Sequence, residues 1–402
     1  GGAVLVEWPQ KGGDRMPGAA IRIGLSIAAG SNLRQARITV PESAASRFSR
    51  SFAARAFLAR NGWGNATRRH LQGDASARAY ERVGEPRRRA LLMNAPRQPD
   101  GPVVPRYGKP YSQVARLAED VRAFVAIGWT LFESGFSAPA LYGIDLDAGF
   151  LLLEDLGEDK VVDAAGPIAE RYGVAVDCLA ALHRRQWPRR VSLPDGSGYE
   201  VPPYDAAAMT IEVELLIDWY APHRHGRRLD AAAEEEFRAL WRAAFVRLVA
   251  AEDSWVLRDY HSPNLIWLET RVGVGRIGII DFQDTVVGPA AYDVASLLQD
   301  ARVTVPDDLE AALLDRYAAA RAKAGDFDET AFRAAYAIMA AQRATKVLGI
   351  FARLDKRDGK PAYLAHMPRV ARYLAKSLRH PVLQPLAVWY DTHLPEIASG
   401  DL

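Results

Sequence analysis

The stretch VLRDYHSPN, residues 256–264, sets Asp259 and Asn264 five positions apart in a short polar loop between apolar flanks. It leads into LIWLE, a turn region TRVGVG, and RIGIID, two apolar and β-prone arms that read as a hairpin. A hairpin returns its last residue to the level of its first, so Asn264 and Asp281 are expected side by side, with Asp259 in the same loop. Oxygen donors of this kind suit Mg²⁺, which binds through few protein groups and leaves positions for phosphate oxygens and water. The chemistry implied is phosphoryl transfer: one carboxylate orients and deprotonates an attacking hydroxyl, while an Asn and a second Asp hold the metal on the nucleotide. Asp259 fits the base, and Asn264 and Asp281 fit the metal ligands. Taken alone, D-x-x-x-x-N also describes a capped turn, because Asp and Asn favour turns. The hairpin ending in Asp281 is what favours a metal site.

Other elements must position that loop. From 67 to 94 the sequence reads as three strands around a small-residue turn, GDASARAY, and a long amphipathic stretch over 112–134 follows. ALYGID and GFLLLEDLG read as two more strands, the second ending in Glu154 and Asp155. After Gly157 the pattern is mostly helical, over 166–187, 205–221, 231–250, 291–302, 307–324, 328–354 and 361–380, interrupted by 255–281. The expected architecture is α+β and two-lobed: a small β-rich lobe over 42–157, then a helical lobe over 158–402 carrying the isolated hairpin, with the site in the cleft. Residues 1–41 precede it as short β segments, AVLVEW, AIRIGLSI and QARITV. A helix then has Phe48, Phe52, Ala56 and Ala59 at helical spacing and stops at Asn61-Gly62.

The turn with Gly73 and Ser76 is placed to cover nucleotide phosphates with backbone N–H groups; read plainly, it is a tight turn. LLLEDLG would be the lobe hinge, with main chain at Glu154, Asp155 and Leu156 meeting adenine, or simply a strand and an acidic turn. Arg343, Lys346 and Arg353 recur at helical spacing with Ile350 between them. Such a stripe divides evenly between a solvated basic face and a site for an acidic substrate or phosphate. IEVELLIDWY sets Glu214 and Asp218 one turn apart beside Trp219, an arrangement suited to hydroxyl recognition and sugar stacking. A tryptophan facing the core is at least as common. His183 ends a helix, where a cation favours the dipole, and reads as structural.

The chain has 402 residues, 49% apolar and 25% charged, enough for one large core or several smaller ones. A net charge of +2 gives no global field that argues for nucleic acid or membrane, so no direct nucleic-acid binding is expected. The single cysteine, Cys178, excludes an intramolecular disulfide and a multi-cysteine metal site, fits a reducing cytoplasm, and is expected in the core. No apolar run approaches the roughly 20 residues that span a bilayer. The sequence opens at Gly1 on a strand-like run, which reads as part of a longer product in the cytoplasm.

The spacing of Asp259, Asn264 and Asp281, continued by GPAAYDVASLLQD, resembles the aminoglycoside phosphotransferase and choline kinase-like branch of the protein kinase-like fold, over about residues 45–395. The resemblance implies ATP and Mg²⁺ as cofactors, and Asp293 as the helix-borne acid that braces the catalytic loop. LQGDASARAY, GFLLLEDLG, VPPYD, IDWY, IIDFQD and QRATKVLGIFARL are similar to anomeric sugar kinases acting on N-acetylmuramate and N-acetylglucosamine in cell-wall recycling. That implies a small-molecule sugar as partner. Three departures stand out. Leu257 occupies the place where most members carry histidine, and His261 is out of register to replace it. Met93-Asn94 end the strand that usually offers a phosphate-binding lysine, and Arg78 is the nearest alternative cation by strand pairing. Phe282-Gln283 follows the metal aspartate where Phe-Gly is usual.

VLVEWPQKGGDRMP resembles the carboxy-terminal end of the bacterial ATPase subunit that supports threonylcarbamoyladenosine formation on tRNA, over about the first 40 residues. No G-x-x-x-x-G-K-[ST] loop accompanies it, so residues 1–41 are read as a remnant of such a domain, with tRNA-modification partners reached through a missing amino-terminal part. Two other readings fit the same residues: a kinase for another alcohol such as an aminoglycoside or a choline-like compound, and a nucleotide-binding pseudokinase or accessory module. Intact Asp259, Asn264 and Asp281 weigh against the second.

Overall fold

The structure, a computed structural model, describes residues 21–27, 30, 34–71, 78–86, 88–323 and 325–402. The expected strand AVLVEW and the turn residues Gly73 and Ser76 lie outside the described residues. The chain forms two compact units, residues 1–68 with 83–88 and residues 69–82 with 89–402.

The first unit holds an antiparallel ribbon of Arg22–Ile27 and Arg34–Thr39, in the register Ile23↔Ile38, as the two later β segments anticipate. The helix Glu42–Arg60 follows Pro41 and ends at Asn61, whose N–H reaches the carbonyls of Phe57 and Leu58. Its buried face differs from the one expected. Ala54, Phe57 and Leu58 are buried beside Trp63, whereas Phe52 is 55% exposed.

The second unit carries the site. A five-stranded sheet has the strand order Thr67–Leu71, Ala79–Glu85, Arg88–Asn94, Phe150–Glu154, Leu141–Asp145. Phe150–Leu153 is buried throughout, which is why GFLLL is a continuous apolar run rather than an alternating one. It pairs antiparallel on both sides, with Leu92↔Leu152 and Ile144↔Leu151. The stretch expected as one helix over 112–134 is broken. A single turn, Tyr111–Val114, precedes the helix Val121–Glu133, and between them Arg116 sits at φ 58° and Asp120 caps the N–H of Arg122. An aspartate at that position competes for the helix N–H groups and starts a new helix instead of continuing the old one.

The helical part follows the expected order, with Ala169–His183, Ala206–Leu215, Ala231–Val246, Ala291–Leu298, Asp307–Ala322, Glu329–Asp358 and Met367–Leu378. Two more helices, Gln384–His393 and Pro395–Ser399, were not expected. Cys178 is fully buried in the core, and His183 is buried with Nδ1 2.8 Å from the Tyr317 hydroxyl, both structural as read. Two short ladders frame the polar loop. Leu265–Trp267 pairs with Ile277–Ile279 as the anticipated hairpin, and Asp253–Val256 pairs with Val286–Pro289, a strand the sequence concealed behind a glycine and a proline.

The 30-residue helix Glu329–Asp358 is the spine of this unit. A glycine inside a helix costs about 1 kcal/mol relative to alanine, so Gly349 needs a reason. A Cβ there would lie 2.3 Å from the carbonyl carbon of Leu215, where the neighbouring helix widens into a π turn over Leu216–Tyr220. Only glycine permits two backbones that close. Gly349→Ala is therefore expected to destabilise the protein by about 1–3 kcal/mol as overpacking, despite its better helix propensity. A melting temperature equal to or above that of the unaltered protein would contradict this packing.

Candidate active site

The loop that presents Asp259 is fixed through its backbone. Asp293, fully buried at the start of Ala291–Leu298, accepts the N–H of Leu257 at 2.6 Å and that of Arg258 at 2.9 Å. Ser296 Oγ reaches the Arg258 carbonyl at 3.3 Å. Between these ties Arg258 takes φ 67°, in the left-handed region that costs an ordinary L-residue about 1–2 kcal/mol. The turn then tightens: Asp259 N–H donates to the Leu257 carbonyl, His261 N–H to Asp259, and Asn264 N–H to His261, at 2.8, 3.0 and 2.9 Å. Asp293 thus does what the resemblance implied.

The Arg258 side chain turns inward and is 2% exposed. Its guanidinium bonds Glu212 and donates to the Ala115 carbonyl at 2.9 Å. Glu212 also receives Lys346 Nζ at 3.0 Å and Gln342 Nε2 at 3.0 Å, and bonds the Tyr204 hydroxyl. Lys346 Nζ donates in addition to the Tyr292 hydroxyl at 2.8 Å. Burial alone would push the Glu212 carboxyl up, but Arg258 and Lys346 overcome it and hold the group down at about 2. Neither Glu212 nor this network was picked out in the sequence; Glu214 was, and it sits elsewhere.

On the other side, Ile280 N–H donates to the Asn264 carbonyl at 3.1 Å, so the hairpin delivers Asp281 beside Asn264 as expected. Asn264 Nδ2 donates to the Asp259 carbonyl at 3.0 Å and lies 3.5 Å from Asp281 Oδ2, which orients its amide oxygen away from those contacts. Asp281 also has a left-handed backbone, φ 61°. The next residue explains how that is held: Phe282 is fully buried, lies with its ring centroid 4.7 Å from that of Phe124 at a 35° tilt, and presses on Gly128 so closely that a Cβ there would lie 2.8 Å from its ring. Asp281 Oδ1 accepts Arg78 Nη2 at 2.8 Å and Gln283 Nε2 at 3.1 Å.

These residues line one cavity of about 640 Å³. Asp259, Asn264 and Asp281 face it, with Arg78 and His261. One part of its wall is made by Leu91, Leu153, Glu154, Leu156 and Lys160, another by Arg343, Lys346, Val347, Ile350 and Phe351. The basic stripe is accordingly not a solvated face at two of its three positions: Arg343 is 6% exposed and the Lys346 side chain 12%. Arg353 is the exception, stacking its guanidinium 4.9 Å from the Tyr111 ring and not lining the cavity. His261 faces Asn264 through Nε2 at 3.2 Å, with Asp300 3.8 Å from its Nδ1. Lys160 Nζ donates to the Pro263 carbonyl at 2.8 Å, and burial lowers its pKa. Neither had been singled out for a role; only the convergence of distant segments reveals them.

Three expectations change. The Glu154 N–H is taken by the Ala140 carbonyl at 2.8 Å and its carboxylate by Arg271, so it has no free N–H for a ligand. Asp155 turns from the cavity to Arg82 at 3.2 Å and to the N–H of Gly157. Leu156 lines the cavity, and its main chain makes no hydrogen bond among the described residues. Glu214, Asp218 and Trp219 do not line the cavity at all. Glu214 is held by Arg106 at 3.0 Å, Arg238 at 2.8 Å and the Tyr107 hydroxyl, and Asp218 by Arg228 and Arg106. Trp219 packs against the core, the commoner fate of such a residue.

Burial would raise the Asp259 carboxyl, but His261, Lys346, Arg258 and Arg343 together hold it below the ordinary carboxylate range, so it is an anion at neutral pH. The donor set of Asn264 and Asp281 is two hard oxygens, which suits a cation such as Mg²⁺ sharing its shell with phosphate. Among the described residues no cluster of three or more His, Cys, Asp or Glu is arranged to hold a metal unaided. A cation here would therefore take its remaining ligands from the nucleotide and water.

Compared with known proteins, residues 67–336 match the family described as "Phosphotransferase enzyme family". The chain is 40% identical over 359 residues to an N-acetylmuramate/N-acetylglucosamine kinase of Caulobacter vibrioides, covering 86% of this chain and 97% of that protein. It is 35% identical over 340 residues to the kinase of the same name from Pseudomonas aeruginosa, covering 81% and 89%. Among solved structures, a putative aminoglycoside phosphotransferase from Ralstonia eutropha aligns with a TM-score of 0.54 at 15% identity, covering 81% of this chain and 96% of that one. A choline kinase from Streptococcus pneumoniae aligns with the same score at 13% identity, covering 82% and 99%. These place the fold among protein kinase-like two-lobed α+β proteins. The family match starts beyond the first 40 residues, and no helix among the described residues is long and apolar enough to cross a membrane.

The buried network makes a sharp expectation for acid stability. With the folded Glu212 at about 2 and its ordinary value at 4.5, the network's contribution is complete above 4.5 and is lost as pH falls through that interval. The loss is on the order of 3 kcal/mol. Glu212→Gln should be less stable at neutral pH, because Arg258 and Lys346 lose their counterion, and its stability should no longer fall over that interval on this residue's account. Acid-unfolding profiles of the two proteins that differ by a constant amount down to pH 2 would contradict this assignment.

Proposed function

The chain belongs to the phosphotransferase enzyme family, and from that premise we propose that it is an ATP- and Mg²⁺-dependent sugar kinase acting on the anomeric hydroxyl of N-acetylmuramate and N-acetylglucosamine. The observation that carries the proposal is the meeting of Asp259, Asn264 and Asp281 in one cavity with a basic helix face at Arg343 and Lys346 and with Leu156, whose main chain makes no hydrogen bond among the described residues. The names of two relatives supply the acceptor. We assign 42–157 to the nucleotide side, 158–402 to the acceptor and catalytic side, and residues 1–41 to neither.

In this reading adenine lies against Leu91, Leu153 and Leu156, and its edge meets the main chain of Leu156. Asp259 accepts a hydrogen bond from the sugar hydroxyl. As that oxygen bonds the γ-phosphorus, the bond from phosphorus to the bridging oxygen of ADP breaks and Asp259 takes the proton. A carboxylate of lowered pKa is a weak base, which fits a loose transition state in which the proton leaves late and orientation matters more than basicity. Asn264 and Asp281 would hold Mg²⁺, which neutralises charge on the transferring phosphates when bound. Arg78 stands in for the missing lysine. Met93, 1% exposed, belongs to the core, whereas Arg78 reaches the cavity and pairs with Asp281, close to where phosphate oxygens would lie.

Against another alcohol acceptor stands the length and strength of the sugar kinase match. Against a pseudokinase stand the intact base Asp259 and the two oxygen ligands Asn264 and Asp281.

Asp281→Asn is expected to bind sugar and keep its fold yet lose Mg²⁺-dependent turnover. Asp259→Asn should lose about 10²–10⁴ in kcat with a smaller change in KM, the range for a positioned general base. Near-normal phosphorylation by either variant, followed by ADP release, would refute the corresponding role. Arg78→Ala should weaken ATP binding in a calorimetric titration by about tenfold or more, as expected for loss of a charge-assisted contact. Unchanged ATP affinity would leave the lysine's role to another residue.

A further inference from the structure

Arg343 is the least satisfied buried cation at the site. It is 6% exposed and lines the cavity. Among the described residues, its guanidinium makes one hydrogen bond, a long 3.4 Å contact to the Gln299 carbonyl, and no carboxylate lies within ion-pairing distance. Its neighbour one turn on, Lys346, is the opposite case, neutralised by Glu212 and bonded to Tyr292. An arginine offers five N–H donors in a planar fork that fits a carboxylate, and a buried guanidinium without a counterion is costly. Evolution of such an arrangement makes physical sense where the counterion arrives with a ligand.

The surroundings define that ligand. Arg343, Lys346, Val347, Ile350 and Phe351 are one face of the same helix, so the cation is followed along the cavity by apolar side chains. Arg343 and Asp259 line the same cavity. A molecule seated here with a hydroxyl at Asp259 would therefore present a second, anionic group to Arg343 and apolar atoms to Val347 and Ile350. Asp259 itself does not supply the counterion, since it makes no ion pair with Arg343.

We infer that Arg343 is the carboxylate-reading residue of the acceptor site, selecting acidic sugars over neutral ones, while Lys346 is a positioning residue that serves both. This rests on the kinase reading above and adds to it the feature that separates its two acceptors: N-acetylmuramate carries a lactyl carboxylate that N-acetylglucosamine lacks. Arg343 supplies the fork for that carboxylate. Lys346, committed to Glu212, instead sets the field around Asp259.

The test is the ratio of kcat/KM for N-acetylmuramate to that for N-acetylglucosamine, measured in the whole protein and in Arg343→Gln and Lys346→Met. In Arg343→Gln the ratio should fall by about tenfold or more, whatever loss the two sugars share, as for removal of one charge-assisted contact. In Lys346→Met both values should fall together and the ratio should stay within about threefold of its starting value, well under the tenfold step. An unchanged ratio in Arg343→Gln, or a fall in the ratio produced only by Lys346→Met, overturns the assignment. Should the unaltered protein phosphorylate neither sugar, the kinase reading fails on its own, and calorimetric titration with N-acetylmuramate still decides this inference. Binding that is lost in Arg343→Gln supports it, and binding that is equal in both proteins or absent in both overturns it. Thermal melting of Arg343→Gln near that of the unaltered protein excludes misfolding as the cause, and the bulkier change Arg343→Leu repeats the comparison with the charge removed and the volume kept.

Discussion

Arg258 sits at positive φ in the interior, tied through its N–H to Asp293 and through its guanidinium to Glu212, and the loop that presents Asp259 takes its shape from that residue. The left-handed turn is what lets the chain leave the Asp253–Val256 strand, point Arg258 inward and turn Asp259 outward within two residues. Without Asp293 the two N–H groups of Leu257 and Arg258 would be buried and unpaired, at about 1–3 kcal/mol each. Without Glu212 two cations would be buried without a counterion. The loop is over-determined, and strained residues persist in proteins only where that is so.

The same logic recurs at Asp281, where the strain is held by packing instead of charge. Phe282 is wedged between Phe124 and the bare backbone of Gly128, so the side chain before it has little freedom. The third non-glycine residue at positive φ among those described, Arg116, belongs to the same assembly: its carbonyl lies 3.5 Å from Arg258 Nη1. Among the described residues, non-glycine backbone at positive φ therefore lies in the loop and hairpin that carry Asp259 and Asp281 and in the segment bonded to Arg258. A close approach of a different kind lies on the long helix, where Gly349 packs against the Leu215 backbone on the helix that also carries Arg343 and Lys346.

What could be read from the sequence was whatever local geometry determines. A hairpin brings its ends together whatever the rest of the chain does, so the pairing of Asn264 with Asp281 is legible from spacing, whereas the bracing role of Asp293 came from the family resemblance. The acceptor side was harder, because which face of a helix meets a cavity depends on packing that spacing does not encode. IEVELLIDWY contains three acidic residues, and the one that matters for the loop is Glu212, two positions before the one that was singled out; its partners come from residues 204, 258, 342 and 346. Glu214 differs only in meeting Arg106 and Arg238 instead. The basic stripe was a balanced choice for the same reason, and the structure divides it, with Arg343 and Lys346 lining the cavity and Arg353 stacked on a tyrosine. The broken helix at 115–120 was hidden because periodicity reports apolar spacing and not the capping oxygen of Asp120 that interrupts it.

The central claim is that phosphate passes from ATP to the anomeric oxygen of an amino sugar beside Asp259. Phosphorus NMR of the reaction with ATP, Mg²⁺ and N-acetylmuramate, with the sugar's reducing end assayed in the same sample, tests it most directly. The expected result is a new phosphomonoester signal coupled to the anomeric proton, appearing in step with ADP and with loss of the reducing end. A phosphomonoester formed while the reducing end is retained, or ADP formed with inorganic phosphate alone, would contradict the account.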